Sequence, residues 1–451
     1  MTTSLFPKFP DDTVLIERDH KFLFLCPSRP DWVVVNKNTA IALKLCDGTR
    51  SIEQIKQELS AVHSSSDDAV AIIERLCETG FLDEDNYRKN KREKQKPTLR
   101  SVHLNLSRDC NLTCNYCYAE ERPLEGKQLS LDEYKALIDD LKTMNDYMEI
   151  SLTGGEPMLN KNYGKIAEYC REVGFYTHLM TNATLIHKHN AEYIAKTFDV
   201  IRTSIDGTTE EFHDFHRGVG TLAKTVRAVD LLLEHGANVR IAMVVTKHNV
   251  ANVEAMADKY GSLLTFQPLF DAGNAKDTVG LELSGTEYFD ALKSPKNIDV
   301  IGGIGKHFAN MRNVGTTKCA IGDAEISIGH DGSVYSCHMV HLPEFMGGNI
   351  REKKLSEIYA TSAVLEESRA LHTYARPECS ECLIRSFCGG SCRARALYLS
   401  GDINATDDFC DYEFSAYLDA LFNTELTSID QIDAFRKDKI ASCGEACSAC
   451  Y

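Results

Sequence analysis

Residues 110–117 read Cys110-Asn111-Leu112-Thr113-Cys114-Asn115-Tyr116-Cys117. Three thiols stand at offsets of four and three, with no fourth cysteine or histidine close by. Structural zinc is almost always four-coordinate, so this set makes a poor closed zinc site. Three thiolates with one open position are a catalytic design. On a 4Fe–4S cluster they leave one iron free to take a substrate or cofactor. Spacing alone favours the cluster over zinc and leaves both open.

The surrounding pattern says where the triad sits. From residue 101 to about 270, strand and helix patterns alternate. SVHLNLS, YMEISLT, FYTHLMT, VIRTSID, VRIAMVVT and LLTFQPLF are six strand candidates, separated by helical segments such as LSLDEYKALIDDLKTM and LAKTVRAVDLLLEHG. Repeated βα units predict a parallel sheet, open or closed into a barrel. Chemistry on such sheets lies at the C-terminal ends of the strands. The triad follows the first of them.

The totals bound the rest. The chain has 451 residues, 43% apolar and 26% charged, and a formal charge of −16. That excess of acid argues against a broad nucleic-acid surface. No apolar run approaches the roughly 20 residues that span a bilayer. The start, MTTSLFPKFPDD, lacks the apolar core of a secretory signal, so a cytoplasmic location is expected. Seventeen cysteines in a reducing compartment point to metal. Cys26, Cys46, Cys77 and Cys170 stand singly among apolar neighbours and read as small core residues.

With the triad and its setting in place, a resemblance can be stated. Cys-x3-Cys-x2-Cys with an aromatic before the last cysteine resembles the signature of the radical S-adenosylmethionine (radical SAM) enzymes, over residues 101–270. Thr153-Gly154-Gly155-Glu156-Pro157, Ser204 and Asp206 in SIDG, and Arg217 in HDFHRG follow in the family's order. The resemblance implies that S-adenosylmethionine supplies the missing fourth ligand. It implies that the Glu156 region holds the methionine ammonium, that Tyr116 lies against adenine, and that Ser204, Asp206 and Arg217 contact the cofactor. It also implies the chemistry. The reduced cluster cleaves the sulfonium to a 5′-deoxyadenosyl radical, which abstracts a hydrogen atom. An external one-electron reductant such as flavodoxin or ferredoxin is implied with it.

A second thiol field runs Cys319-x12-Gly332-x4-Cys337, then Cys379-x2-Cys382-x5-Cys388-x3-Cys392-x17-Cys410. Zinc is a fair reading of the inner quartet on its own. The whole set resembles the SPASM extension, which carries two auxiliary 4Fe–4S clusters, for three clusters in all. The resemblance implies Cys379, Cys382, Cys388 and Cys410 on one cluster, and Cys319, Cys337 and Cys392 on the other. Some relatives supply a fourth cysteine shortly after the first. Here that segment reads AIGDAEIS and has none, which leaves an open iron site for a substrate thiolate. His338 stands where sulfatase-maturing relatives carry an aspartate base, which counts against that activity.

Residues 10–85 predict three strands followed by short helices, a winged-helix pattern, with Ser51 as an N-cap and Gly80 as a stop. WVVVNKNTAIALKLCDGTRSIEQIKQEL resembles the peptide-recognition element of peptide-modifying enzymes, similar to the small chaperone of pyrroloquinoline quinone biosynthesis. There a leader peptide adds as a strand to the sheet edge. DNA binding is the competing reading of a winged helix, disfavoured by the acidic chain. The expected architecture is α/β. A winged-helix peptide-recognition domain (1–90) and a linker (91–100) precede a radical SAM partial (β/α)6 barrel (101–275). A SPASM auxiliary-cluster domain (276–425) and a tail (426–451) follow.

The expected function is maturation of a ribosomally synthesised precursor peptide, most directly by thioether formation. Carbon–carbon cross-linking or another oxidative modification of a peptide or protein is the alternative, and a non-catalytic iron–sulfur electron carrier is disfavoured by the cofactor-contact set. Neither membrane nor nucleic acid is expected as a partner. The tail thiols Cys443, Cys447 and Cys450 repeat the triad spacing without its context. A disordered end, a displaceable cap on the open cluster and a further metal site all remain readings of them.

Overall fold

Alternation along Ser101–Ser107 explains the centre of the protein. Val102, Leu104 and Leu106 are buried in the large apolar core. His103, Asn105 and Ser107 point to the other face and are buried too. A strand buried on both faces is what a parallel sheet with covered faces demands. The computed structural model describes residues 6–29, 31–61, 67–86, 99–121, 126–277, 280–292 and 319–423. Most of the expected linker, and the tail thiols, lie outside the described residues.

The N-terminal unit is a three-stranded antiparallel sheet, β1 (Val14–Arg18), β2 (Lys21–Cys26) and β3 (Asp31–Val35), followed by α1 (Lys37–Leu43), α2 (Ile52–Ser60) and α3 (Asp67–Glu78). Ser51 caps α2 in a capping box with Gln54. Gly80 takes a positive φ of 89° just past α3. The sheet buries two faces. Phe22, Phe24, Val33 and Val35 pack against the unit's own helices. Leu23, Leu25, Trp32 and Val34 pack against Ile384, Phe387, Tyr417, Leu421 and Phe422 of the C-terminal region.

All six strands expected in the centre form, as β4 (Ser101–Ser107), β5 (Glu149–Gly154), β6 (Tyr176–Met180), β7 (Val200–Ser204), β8 (Val239–Val245) and β9 (Leu264–Pro268). Every neighbouring pair from β4 to β9 is parallel. The intervening helices are α4 (Leu131–Met144), α5 (Tyr163–Glu172), α6 (Ala191–Thr197), α7 (Glu210–Arg217), α8 (Thr221–Glu234) and α9 (Val253–Tyr260).

The sheet does not stop at β4. β10 (Glu325–Ile328) pairs parallel with β4, and β11 (Ser333–Tyr335) and β12 (Met346–Asn349) follow antiparallel, giving nine strands in the order β12-β11-β10-β4-β5-β6-β7-β8-β9. Little periodicity and most of the cysteines in residues 280–410 suggest a region folded around metal rather than around a large apolar core. The structure instead joins its first part to the main sheet, through strands of three or four residues too short to show a period. The remaining described helices are α10 (Gly285–Ala291), before β10, and after β12 α11 (Leu355–Thr361), α12 (Ala363–Arg369), α13 (Pro377–Ser380), α14 (Arg385–Cys388), α15 (Arg393–Ser400) and α16 (Cys410–Phe422). Among the described residues no helix is long and apolar enough to cross a membrane.

Trp32 is the chain's one tryptophan and sits in the seam between the N-terminal sheet and α14 and α16, ring to ring with Phe387 at 5.4 Å. Leu421→Ala, at a fully buried position of that seam, should cost about 2–5 kcal/mol. Urea titration followed by Trp32 emission checks this, with a red shift expected at lower urea than in the wild type.

Candidate active site

The triad loop begins where β4 ends, and close backbone approach fixes it. Gly155 N donates to Ser107 O at 2.8 Å, and Glu156 N donates to Asp109 O at 2.9 Å. A side chain on Gly154 would overlap Ser107 O, and one on Gly155 would overlap the carbonyls of Arg108 and Asp109. Gly154 also has a φ of 139°. Glycine is therefore required by both space and conformation. The TGGEP stretch works first as a clamp that sets where Cys110 starts.

Glu156 is fully buried. Its carboxylate accepts from Thr181 Oγ1 at 2.7 Å, Asn182 N at 2.9 Å and Met158 N at 3.1 Å. Burial raises its pKa, and these donors oppose the rise. The carboxylate thus braces the ends of β5 and β6. Pro157 begins a short 3-10 turn capped by Glu156, and Thr153 is buried on β5.

A second network forms at the ends of β7 and α7. Asp206 is fully buried. Its Oδ2 accepts from Tyr116 Oη and from Arg217 Nε, both at 2.5 Å, and its Oδ1 accepts from Val244 N at 3.0 Å. Arg217 also donates to Tyr116 Oη. Burial alone would raise the Asp206 carboxyl, but Arg217 and Tyr116 outweigh it and hold it below the usual carboxylate range. Tyr116, Asp206 and Arg217, expected as separate cofactor contacts, are bonded to one another. Ser204 ends β7, half-buried.

Several residues of the site escaped sequence reasoning. Asn182 donates to Asn111 Oδ1 at 2.9 Å and lies 3.8 Å from Cys110 Sγ. Asn274 holds the backbone of Cys114 and Cys117. His216 bonds Asn115 and Thr246. Asn182 had a signal, since it follows a parallel strand. Asn274 had none, being 160 residues from the Cys114 carbonyl it binds. Cys110 is exposed, and Cys114 and Cys117 are half-buried. Burial pushes the Cys114 thiol up to about 11. Three thiols on a pinned loop fit a cluster with one open iron, whose binding would displace those protons.

The second field divides in space. Cys319, Cys337 and Cys392 share one apolar cluster with Ile321, Val340 and Ala394. Cys382 and Cys388 share the seam beneath the N-terminal sheet. Cys379 and Cys410 interact electrostatically, and so do Cys382 and Cys410. Arg376, 2% exposed, donates to Cys379 Sγ, and Arg393, 1% exposed, donates to the carbonyls of Gly390, Ile403 and Ala405. Among the described residues the Nε of each has no hydrogen-bond partner. Two buried guanidiniums with an unspent donor each call for anionic charge. Thiolate-bound clusters supply it, so the residues present fit such groups.

The network around Asp206 carries a measurable consequence. Arg217→Met leaves a buried carboxylate without its cation and should cost about 3–5 kcal/mol near neutral pH. The folded pKa of Asp206 is depressed. Its contribution is therefore present above the unfolded carboxyl value and is lost as pH falls through the folded one. The stability gap between wild type and variant should shrink below about pH 4. Urea midpoints measured across that range check it.

Comparison with known proteins agrees with this geometry. Residues 104–260 match the radical SAM superfamily, and residues 319–383 match an iron–sulfur cluster-binding domain. An AdoMet-dependent heme synthase of Nitratidesulfovibrio vulgaris is 27% identical, covering 71% of this chain and 94% of its own length. The mycofactocin maturase MftC of Mycobacterium ulcerans is 26% identical, covering 69% and 87%. Among solved structures, anSMEcpe with bound AdoMet aligns with a TM-score of 0.60 at 22% identity, covering 75% of this chain and 98% of its own. Streptococcus suis SuiB bound to precursor peptide SuiA aligns at 0.56 and 14%, covering 89% and 98%. With the thiol loop at the end of a parallel strand and a second thiol field built onto the same sheet, the chain is an enzyme with a radical SAM domain followed by an iron–sulfur cluster-binding domain, and S-adenosylmethionine and iron–sulfur clusters are its cofactors.

Proposed function

We propose that this enzyme matures a ribosomally synthesised precursor peptide, joining cysteine sulfurs to carbons of acceptor residues as thioethers. The observation that carries the reading is the N-terminal sheet. Its strand β1 pairs on one side only among the described residues, and its opposite face is seated on the second thiol field. An unpaired strand edge offers main-chain donors and acceptors to an extended peptide. A leader held at β1 would present the following core peptide close to the auxiliary thiols. SuiB bound to a precursor peptide and the maturase MftC support the peptide class. The heme synthase among the relatives points to a tetrapyrrole instead. The strand edge favours the peptide, since a tetrapyrrole has no use for it.

In this reading Cys110, Cys114 and Cys117 hold the cluster that binds S-adenosylmethionine. Residues Thr153–Pro157, Ser204, Asp206, Arg217 and Tyr116 form the cofactor's surroundings. Cys379, Cys382, Cys388 and Cys410 hold one auxiliary cluster, and Cys319, Cys337 and Cys392 the other. When bound and reduced by an external one-electron donor, the cofactor supplies a carbon radical that removes a hydrogen atom from substrate. The chain's own part is positional. The Gly154–Glu156 clamp and Asn182 fix the triad loop, the Asp206–Arg217–Tyr116 network braces it from the opposite side, and the buried polar face of β4–β6 shapes the space beside it. Carbon–carbon cross-linking needs the same machinery and differs only in the acceptor bond.

Replacing Cys110, Cys114 and Cys117 together by alanine should abolish 5′-deoxyadenosine formation and remove about four irons per chain, leaving about eight. Chromatography of the nucleoside and iron analysis read both; undiminished cleavage would sink the assignment.

With a leader-bearing precursor, each cross-link should remove two hydrogens from the peptide mass and one cysteine from the alkylatable pool. Removing the leader should slow modification at least about tenfold, a difference of about 1.4 kcal/mol. Mass loss with all thiols still alkylatable would favour carbon–carbon bonds. Equal rates with and without leader would reject the β1 reading.

A further inference from the structure

The segment after Cys319 has no fourth cysteine, but it does hold a buried carboxylate. Glu325 opens β10 and is 4% exposed. Its Oε1 lies 3.8 Å from Cys337 Sγ and 2.8 Å from His338 Nδ1. His103 Nε2, reaching across from β4, is 3.5 Å from the same oxygen. The His103 and His338 rings stack at 4.2 Å. Every polar contact of this carboxylate falls on Oε1, and Oε2 accepts no hydrogen bond among the described residues.

A buried carboxylate with one oxygen unspent is expensive unless a metal or water takes it up. Two receivers compete. The donor atoms of His103, Glu325 and His338 lie within 4.8 Å of one another and could hold a single metal ion. The other receiver is the iron–sulfur cluster on Cys319, Cys337 and Cys392. The carboxylate touches the thiol of Cys337 and also acts electrostatically on Cys319. That set has three thiols for four irons, so it lacks one ligand, and Glu325 is the buried anion beside it. Its position is rigid, because β10 is paired to β4 on one side and to β11 on the other.

We propose that the Glu325 carboxylate is the fourth protein ligand of the cluster held by Cys319, Cys337 and Cys392, with His338 and His103 as positioning residues that hold the carboxylate. The proposal rests on the cluster assignment made above. An oxygen donor binds iron of a thiolate cluster more weakly than a fourth thiolate does. The site would therefore be closed at rest and open to exchange by a stronger ligand such as a thiolate.

The test uses the full chain with Cys110, Cys114 and Cys117 replaced by alanine, reconstituted without oxygen using isotopically enriched iron, so that only auxiliary iron is observed. Mössbauer spectra should show one iron distinct from its thiolate-bound neighbours. Glu325→Cys should merge that iron with the others and leave total iron unchanged. Glu325→Ala should let labelled cyanide bind the reduced cluster, read by electron–nuclear double resonance, at a concentration about tenfold lower than the parent requires. Glu325→Gln, which keeps size and shape, should behave like Glu325→Ala and guards against a folding defect. Identical spectra and cyanide response in parent, Glu325→Ala and Glu325→Gln, with iron intact, would overturn the ligand. If replacing Cys319, Cys337 and Cys392 by alanine removes no iron, the cluster assignment fails and the ligand with it. One non-cluster metal per chain, lost in His103→Ala, would assign the three residues to a mononuclear site instead and also overturn the proposal.

Discussion

The pairing of β4 on both its edges is the constraint on which the rest depends. One edge joins β5 and the other joins β10, a strand from more than two hundred residues later. From its C-terminal end β4 delivers the Cys110 loop, which Gly154, Gly155 and Glu156 of the β5 side clamp through backbone hydrogen bonds. Along its length it carries His103 to Glu325 on β10. One strand thus sets the spacing between the first thiol triad and the second field. Parallel pairing makes that spacing stiff, since slipping by one residue would turn Val102, Leu104 and Leu106 out of the core.

Charge is distributed to suit this frame. Around the first triad the buried charged groups are paired within the protein: Asp206 with Arg217 and Tyr116, and Glu156 with the donors of β6 and the 3-10 turn. Around the second field they are not fully paired. Among the described residues Arg376 and Arg393 keep an Nε without a hydrogen-bond partner, and the contacts of Glu325 fall on one oxygen. Buried polar groups left incomplete in a well-packed region mark where something else binds. The contrast separates a site braced before its cofactor arrives from a region that the bound groups complete.

The N-terminal unit belongs to the same frame. Its strands β2 and β3 are buried on both faces, and β1 is the part of the sheet left open to solvent. One face meets its own helices and the other meets α14 and α16 beside Cys382, Cys388 and Cys410. Arg18 pairs with Asp419 and Arg385 with Asp12 at the rim, contacts of small individual worth at such exposure. The apolar seam around Trp32 carries the attachment. The sheet is therefore held at a fixed place relative to the second thiol field, without reliance on the segment expected as a linker.

What the amino-acid sequence determined by itself was whatever is written in local pattern. Six strands showed as β-rich runs between helical segments, Ser51 and Gly80 marked their helix ends, and the offsets of the thiols favoured a cluster over zinc, with the chemistry implied by resemblance. Those features depend on neighbours within a few residues, where backbone geometry sets the period. Tertiary structure alone decided the remainder. β10, β11 and β12 are too short to carry a period, and they exist because β4 offers an edge. The meeting of Glu325 with His103 and Cys337, of Asn274 with the triad loop, and of Trp32 with Phe387 joins residues that are from twelve to more than three hundred positions apart. No local propensity encodes such contacts, because they form only when burying the apolar surfaces of separate segments brings the polar groups between them within bonding distance.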